Sequence, residues 1–220
     1  MCSQYTLNSS PNNILHEFGE TGARSESIDE RFLPSSIAPI IVFDRGHFKL
    51  TPMKFSLVPS WSKEPKVKFA THNARIETIL EKPTWKIPFQ SQHCVIPMSG
   101  FFESVYTGPL AGHIIKFSGE KDELLFAAGI FDFWENANDS QKSFFSFSIL
   151  TQDPSILISS YGHDRTPLFI KKDFAANWLE KSQQSPEEMK IELLKQAYHP
   201  ELKIESDRAL KPGWEKRRDA

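Results

Sequence analysis

At 220 residues, 39% of them hydrophobic, the chain is long enough to bury one substantial core and reads as one domain over 1–220. A net charge of −2 excludes a generally basic nucleic-acid coat while permitting a local basic cleft, and two cysteines exclude a disulfide framework and suit a reducing compartment. No apolar run nears the ~18 residues of a membrane span, and Met1 to Leu15 lacks the basic start and apolar core of a signal peptide, so a cytoplasmic protein without a membrane partner is expected.

The chain opens on Cys2. Removal of a start Met before a small side chain would leave an N-terminal cysteine with a free α-amine, the two groups titrating near ~7.7–8.0 for the amine and ~8.5 for the thiol. Amine and thiolate together convert an aldehyde first to an imine and then to a five-membered thiazolidine, a more durable adduct than a Schiff base. Taken alone, Cys2 reads as an incidental small residue behind the start Met, and only the rest of the chain argues otherwise. Next, Ser10-Pro11 ahead of Ile14, Leu15 and Phe18 predicts a short capped helix packed near Cys2 and stopped at Gly19. Ser25 to Glu30 is polar enough for an exposed loop. Ile37 to Phe43, Phe48 to Leu50 and Met53 to Val58 predict strands, broken by Asp44-Arg45-Gly46 and Thr51-Pro52.

Ala74 to Glu81 places Ile76, Ile79 and Leu80 on one side and predicts a helix that Asn73 would cap. Strands follow at His93 to Glu103, His113 to Phe117, Leu124 to Phe133 and Phe144 to Thr151, with a polar loop at Glu135 to Lys142. A helix is expected at Asp173 to Leu179. Ser185-Pro186-Glu187-Glu188 is a capping box leading into Met189, Leu193, Leu194 and Ala197. The stretch from Glu201 to Ala220 ends in Lys216-Arg217-Arg218 and reads as a solvated tail, with a phosphate contact as the alternative. No C-x-x-C or H-x-x-x-H spacing offers a zinc site, and neither a metal nor a cofactor is expected.

Several segments then fall into one pattern: Cys2; Asn73-Ala74-Arg75-Ile76-Glu77-Thr78; Cys94-Val95-Ile96-Pro97-Met98-Ser99-Gly100-Phe101-Phe102-Glu103; Phe126 to Trp134; Phe147 to Thr151; and Gly162-His163-Asp164-Arg165-Thr166-Pro167. In order and spacing they resemble the SRAP family, the abasic-site processing proteins also called SOS-response-associated peptidases. The likeness runs over about 2–170 and leaves 171–220 as a helical and basic tail. It implies an α+β fold, a single domain with a curved, barrel-like antiparallel β-sheet and peripheral helices.

The resemblance also implies roles. Cys2 would capture the aldehyde of a ring-opened abasic site in single-stranded DNA, protecting it during the DNA damage response, and Glu103 would be the acid–base for ring opening, its pKa raised by Phe101, Phe102 and Val105. His163 would shuttle protons, with an AP-lyase step among the reactions it could serve, and Asn73 would position Cys2 and the sugar. Arg75 and Arg165 would contact phosphates, and Thr151 would add a further contact. Trp61 falls where aromatics stack on bases at a single-strand to double-strand junction, with a core tryptophan as the alternative. A monomer is expected.

The chain departs from the pattern at Ser3-Gln4, at Leu33-Pro34-Ser35-Ser36, at Thr166 and around Lys82-Pro83, where the family carries an arginine. No proposed catalytic group is among these. Two other functions remain open: a cysteine peptidase with Cys2 as nucleophile, His163 as base and Glu103 as orienter, and a non-catalytic single-stranded DNA-binding module.

Overall fold

Tyr5 and Leu7 are fully buried and separated by half-exposed neighbours, the period-two pattern of a strand with one face on a core. Such strands dominate the computed structural model, which describes residues 3–21, 26–180 and 183–217. In chain order they and the helices are β1 (Gln4–Ser9), α1 (Pro11–His16), β2 (Ile28–Phe32), β3 (Ile37–Asp44), β4 (His47–Phe55), β5 (Asn73–Arg75), α2 (Pro83–Ser91), β6 (His93–Met98), β7 (Gly100–Val105), β8 (His113–Gly119), β9 (Leu125–Trp134) and β10 (Phe144–Gln152). Then come α3 (Ile156–Ser160), β11 (Thr166–Pro167), β12 (Phe169–Ile170), α4 (Lys172–Leu179), α5 (Pro186–Gln196), β13 (Ala197–Tyr198) and β14 (Leu202–Ala209).

β10 is the strand that closes the fold. It pairs antiparallel with β9 and parallel with β4, while β4 pairs with β3, β3 with β6 and β6 with β9. β4, β3, β6, β9 and β10 therefore form a closed five-stranded barrel, the barrel-like sheet expected, with one parallel seam. β5 adds a second parallel pairing to β10. The sequence does not announce the other sheet, antiparallel in the order β14-β8-β7-β1-β2. Tyr5 meets Phe55 with ring centroids 5.6 Å apart and Phe101 meets Phe169 at 5.8 Å, so aromatic pairs join the two sheets across a shared core.

The α+β fold and most strands follow the sequence reading, and five places depart from it. Thr51-Pro52 does not break β4, because Pro52 lies opposite Pro39 and two residues without N–H groups fit a pair that exchanges no ladder bonds. The run from His93 to Glu103 is two strands, with Ser99 turning the chain from the barrel into the second sheet. Ser25 lies outside the described residues, and Ile28–Phe32 forms β2 rather than a loop; likewise Leu202–Ala209 forms β14 on β8 rather than a solvated tail.

The helix expected at Ala74 to Glu81 is replaced by β5 and one 3-10 turn at Ile76–Thr78. Ala74 is fully buried opposite Leu150 of β10, and Pro83 holds Lys82 in an extended conformation at φ −86, ψ 122, leaving too little chain for a helix. Asn73 consequently caps nothing. The two-residue loop Arg45-Gly46 has φ values of 52 and 85, a hairpin turn in which both positions are left-handed.

Gly129 lies where β9 passes between β6 and β10. A Cβ there would sit 2.8 Å from the Ser148 carbonyl and 3.0 Å from Cys94 Sγ, and would also meet Ile96. Gly129→Ala should therefore cost ~1–3 kcal/mol of stability, read as a lower urea midpoint at unchanged slope; an unchanged midpoint would show that the barrel wall gives way freely.

Candidate active site

Glu103 lies in the middle of β7 on the same face as Phe101 and Val105, both fully buried, and is itself 5% exposed. Burial, reinforced by the negative charge of Asp164, pushes its carboxyl up to about 7. His163 comes from the loop after α3, which reverses at Gly162 with φ 82, and its Nδ1 stands 3.5 Å from Glu103 Oε2. Burial draws its pKa down to about 4, so at neutral pH the imidazole is uncharged beside a carboxyl near half-protonation. Its buried Nε2 has no hydrogen-bond partner among the described residues, a state that costs energy and recurs at functional sites.

The remaining groups surround this pair unequally. Arg75, at the end of β5, is exposed, and its guanidinium stands 3.6 Å from the Asp164 carboxylate, which brings it beside the residue after His163. Asn73 is half-buried at the start of β5, its backbone paired with Ile149. Trp61 is 54% exposed, which settles against a core tryptophan. Its turn is held to β9 by the Ser60 N–H donating to Asp132 and to the end of that strand by the Trp134 indole N–H donating to the Ser62 carbonyl.

Arg165 and Thr151 are placed otherwise than expected. Arg165 is 5% exposed and its guanidinium donates to Asp153, to Glu77 and to the Thr151 carbonyl at 3.0, 2.8 and 2.6 Å. It is a clasp between the His163 loop, β10 and the turn after β5. Thr151 is fully buried, and its hydroxyl donates to the Ala74 carbonyl at 3.4 Å, so it does not face a surface phosphate. Phe69 is the aromatic that the sequence reading missed. It is 52% exposed and lines a groove of about 210 Å³ with Lys54, Lys66 and His72; the signal available was the interleaving of Trp61 and Phe69 with Lys63, Lys66 and Lys68.

Of the two thiols, Cys94 is fully buried in β6 and its pKa is raised well above the ordinary value by burial, which leaves it unreactive. Cys2 lies outside the described residues, as does its expected packing against α1. The described chain starts at Ser3, one residue before Gln4, which pairs with Phe102 beside Glu103. Among the described residues no cluster of His, Cys, Asp and Glu could hold a metal ion, and no helix is long and apolar enough to cross a membrane.

The family model for SOS response associated peptidase (SRAP) matches residues 1–206. The chain belongs to the SRAP family. It is similar to the abasic site processing protein YoqW of Bacillus subtilis, 27% identical over 199 residues covering 85% of this chain and 84% of that one. It is also similar to the abasic site processing protein HMCES of Mus musculus, 30% identical over 186 residues covering 67% of this chain and 52% of that one. Two solved structures share its fold. A protein from Bordetella bronchiseptica superposes with a TM-score of 0.76 at 20% identity over 94% of this chain and all of that one, and a protein from Bacteroides thetaiotaomicron with 0.73 at 21%, over 94% and 92%.

The opposed shifts of Glu103 and His163 predict a pH signature in this SRAP chain. Between about 4.5 and 7 the folded state keeps a Glu103 proton that the unfolded chain has released, so this group makes stability fall as pH rises. Between about 4 and 6.5 the unfolded chain holds a proton that folded His163 lacks, so this group makes stability rise. Over the shared window the slopes, each up to about 1.4 kcal/mol per pH unit, oppose one another. Urea midpoints should show His163→Gln losing stability, and Glu103→Gln gaining it, from pH 4.5 to 6.5; two variants with the wild-type slope would show ordinary pKa values.

Arg165→Ala should lower stability by ~1–3 kcal/mol, since it opens a buried hydrogen-bonded clasp, whereas exposed Arg75→Ala should stay within ~0.5 kcal/mol. Equal effects in thermal melts would remove the structural distinction between the two arginines.

Proposed function

We propose that this protein recognises abasic sites in single-stranded DNA and captures them covalently through Cys2. The observation that carries the reading is Glu103, a carboxyl titrating near 7 beside a neutral imidazole, on a strand paired with the one that leads from Cys2. In the closed sugar, protonated Glu103 gives its proton to the ring oxygen while the anomeric hydroxyl gives up its own to water, and the ring opens to the C1′ aldehyde. The α-amine of Cys2 adds to C1′, water leaves, and an imine forms. The thiolate then adds to the same carbon, the nitrogen takes up a proton, and the thiazolidine is complete.

Further support is electrostatic. Arg75 is exposed within two residues of Asn73 and beside the His163 loop, where a phosphate flanking the site would lie, and the groove of Lys54, Lys66 and Phe69 with nearby Trp61 offers cations and aromatic faces to a single strand. Arg165 serves in this reading by holding Asp164 and His163 in place. The names of the relatives, abasic site processing proteins, agree with it. Against the peptidase alternative, a histidine held at about 4 is a weak base toward a thiol.

The test is a denaturing gel of protein with single-stranded DNA carrying one abasic site. Wild type should give a heat-stable cross-link, Cys2→Ser none without borohydride, and Glu103→Gln a rate lower by the ~10²–10⁴ of lost acid–base catalysis. Arg75→Ala should weaken binding and flatten its salt dependence. One residue added ahead of Cys2 should abolish the cross-link, because the amine would no longer belong to the cysteine. A stable adduct from Cys2→Ser, or from the extended chain, would sink the thiazolidine mechanism.

A further inference from the structure

Side chains alternate along β7, so Ser104 points to the face opposite Glu103. On that face the chain folds back after β14. The Leu210 N–H donates to the Gly112 carbonyl at 2.7 Å, and the indole of Trp214 covers Gly112, where a Cβ would lie 2.9 Å from the ring. The rings of Tyr106 and Trp214 stand 6.5 Å apart at 40°. With Gln4, Ser104, Arg208 and Lys211 they line a recess of about 530 Å³, within the ~300–1,000 Å³ of small-ligand sites.

The lining has the chemistry of a nucleotide site: aromatic faces for a base, the Ser104 hydroxyl for its polar edge beside a Gln4 amide oxygen already held by Arg31 at 2.7 and 3.1 Å, and two cations for phosphate. The acidic neighbour Asp207 is taken by Arg31 at 2.8 Å and approaches Arg208 only to 3.7 Å, while Lys211 is exposed. The recess lies on the face of the sheet opposite Glu103, and the route to the Glu103 site runs round the end of β7, where Tyr106 precedes Thr107, whose hydroxyl lies 3.3 Å from where a Cβ on Gly162 would sit, one residue before His163.

We infer that this recess, built by the segment after β14, holds a nucleotide of the same DNA strand on one flank of the abasic residue. The inference rests on the reading of the Glu103 site as a DNA site. It gives the 210–217 segment a role in binding rather than that of a solvated end.

Binding is measured with single-stranded oligonucleotides carrying a tetrahydrofuran abasic analogue, which has no aldehyde and cannot cross-link, at the 5′ end, the middle or the 3′ end. Wild type should gain affinity from nucleotides on one flank. Lys211→Glu, Arg208→Glu and Trp214→Ala should lose that gain, about five- to tenfold, the size of a lost stacking or phosphate contact, and Trp214→Phe should keep most of it. Lys211 is exposed, so its variant stays informative if Trp214→Ala unfolds. Wild-type affinities in all variants for all three oligonucleotides, alongside normal cross-linking to true abasic DNA by the wild-type chain, would overturn the inference alone. No binding and no cross-linking by the wild-type chain would overturn it together with the proposed function.

Discussion

The guanidinium of Arg165 ties together three segments far apart in sequence, and the candidate site depends on that tie. Glu77 belongs to the turn after β5, Thr151 and Asp153 to the end of β10, and Arg165 itself to the loop that presents His163. A cation withdrawn from water needs nearly all its donors matched, or burial costs more than the contacts return. Two carboxylates and a carbonyl meet most of that requirement, and the exposed positions of Glu77 and Asp153 let water stabilise the acidic side of the pairing. The loop is therefore fixed at its C-terminal side by charge and at its N-terminal side by the turn at Gly162, with His163 and Asp164 between.

That fixation matters because the chemistry of Glu103 is set by what surrounds it. A carboxyl on the apolar face of β7 is desolvated beside Phe101 and Val105, and His163 of the loop stands 3.5 Å from it. His163 is kept neutral by the same burial, so it relieves the carboxyl of no charge and leaves it near 7. A protonated His163 would instead form an ion pair and pull Glu103 down into the ordinary carboxylate range, where it would hold no proton to give. The two opposed shifts are thus one environment acting on an acid and on a base.

Local signals in the sequence were legible where the local chain decides the structure. Ser10-Pro11 and the Ser185/Glu188 capping box start helices where expected, and the nearly continuous apolar run of Leu125–Trp134 marks a barrel strand. Glu103 stood out because it closes the segment Cys94 to Glu103 that resembles the family pattern, with Phe101, Phe102 and Val105 beside it to raise its pKa. What could not be read depends on pairing over long separations. Arg165 looked like a phosphate contact because nothing nearby in sequence shows that Glu77, 88 residues away, would claim it. Thr151 looked accessible until β5 came to lie against it, and β14, whose side chains are mostly exposed, has no apolar alternation and exists as a strand because β8 offers it an edge.

Under the proposed capture through Cys2, the contrast between the two thiols accounts for where the site stands. Cys94 sits in β6 under full burial, where the thiolate form is disfavoured, and a thiol there packs like a small apolar group. A thiol that shares its carbon skeleton with a free α-amine can exist only at a chain terminus, so a fold using that pair cannot carry its nucleophile to an interior site and must instead build the site around its own first strand. β1 is bedded between β7 and β2, with Tyr5 and Leu7 anchoring it in the core. The strand is held from Gln4 onward, and Ser99 carries the chain from the barrel into the neighbouring strand that bears the acid. Under the proposed capture, barrel closure by β10 and the bedding of β1 serve one requirement: a rigid setting for Glu103 and His163, and a first strand firmly paired beside them from Gln4 onward.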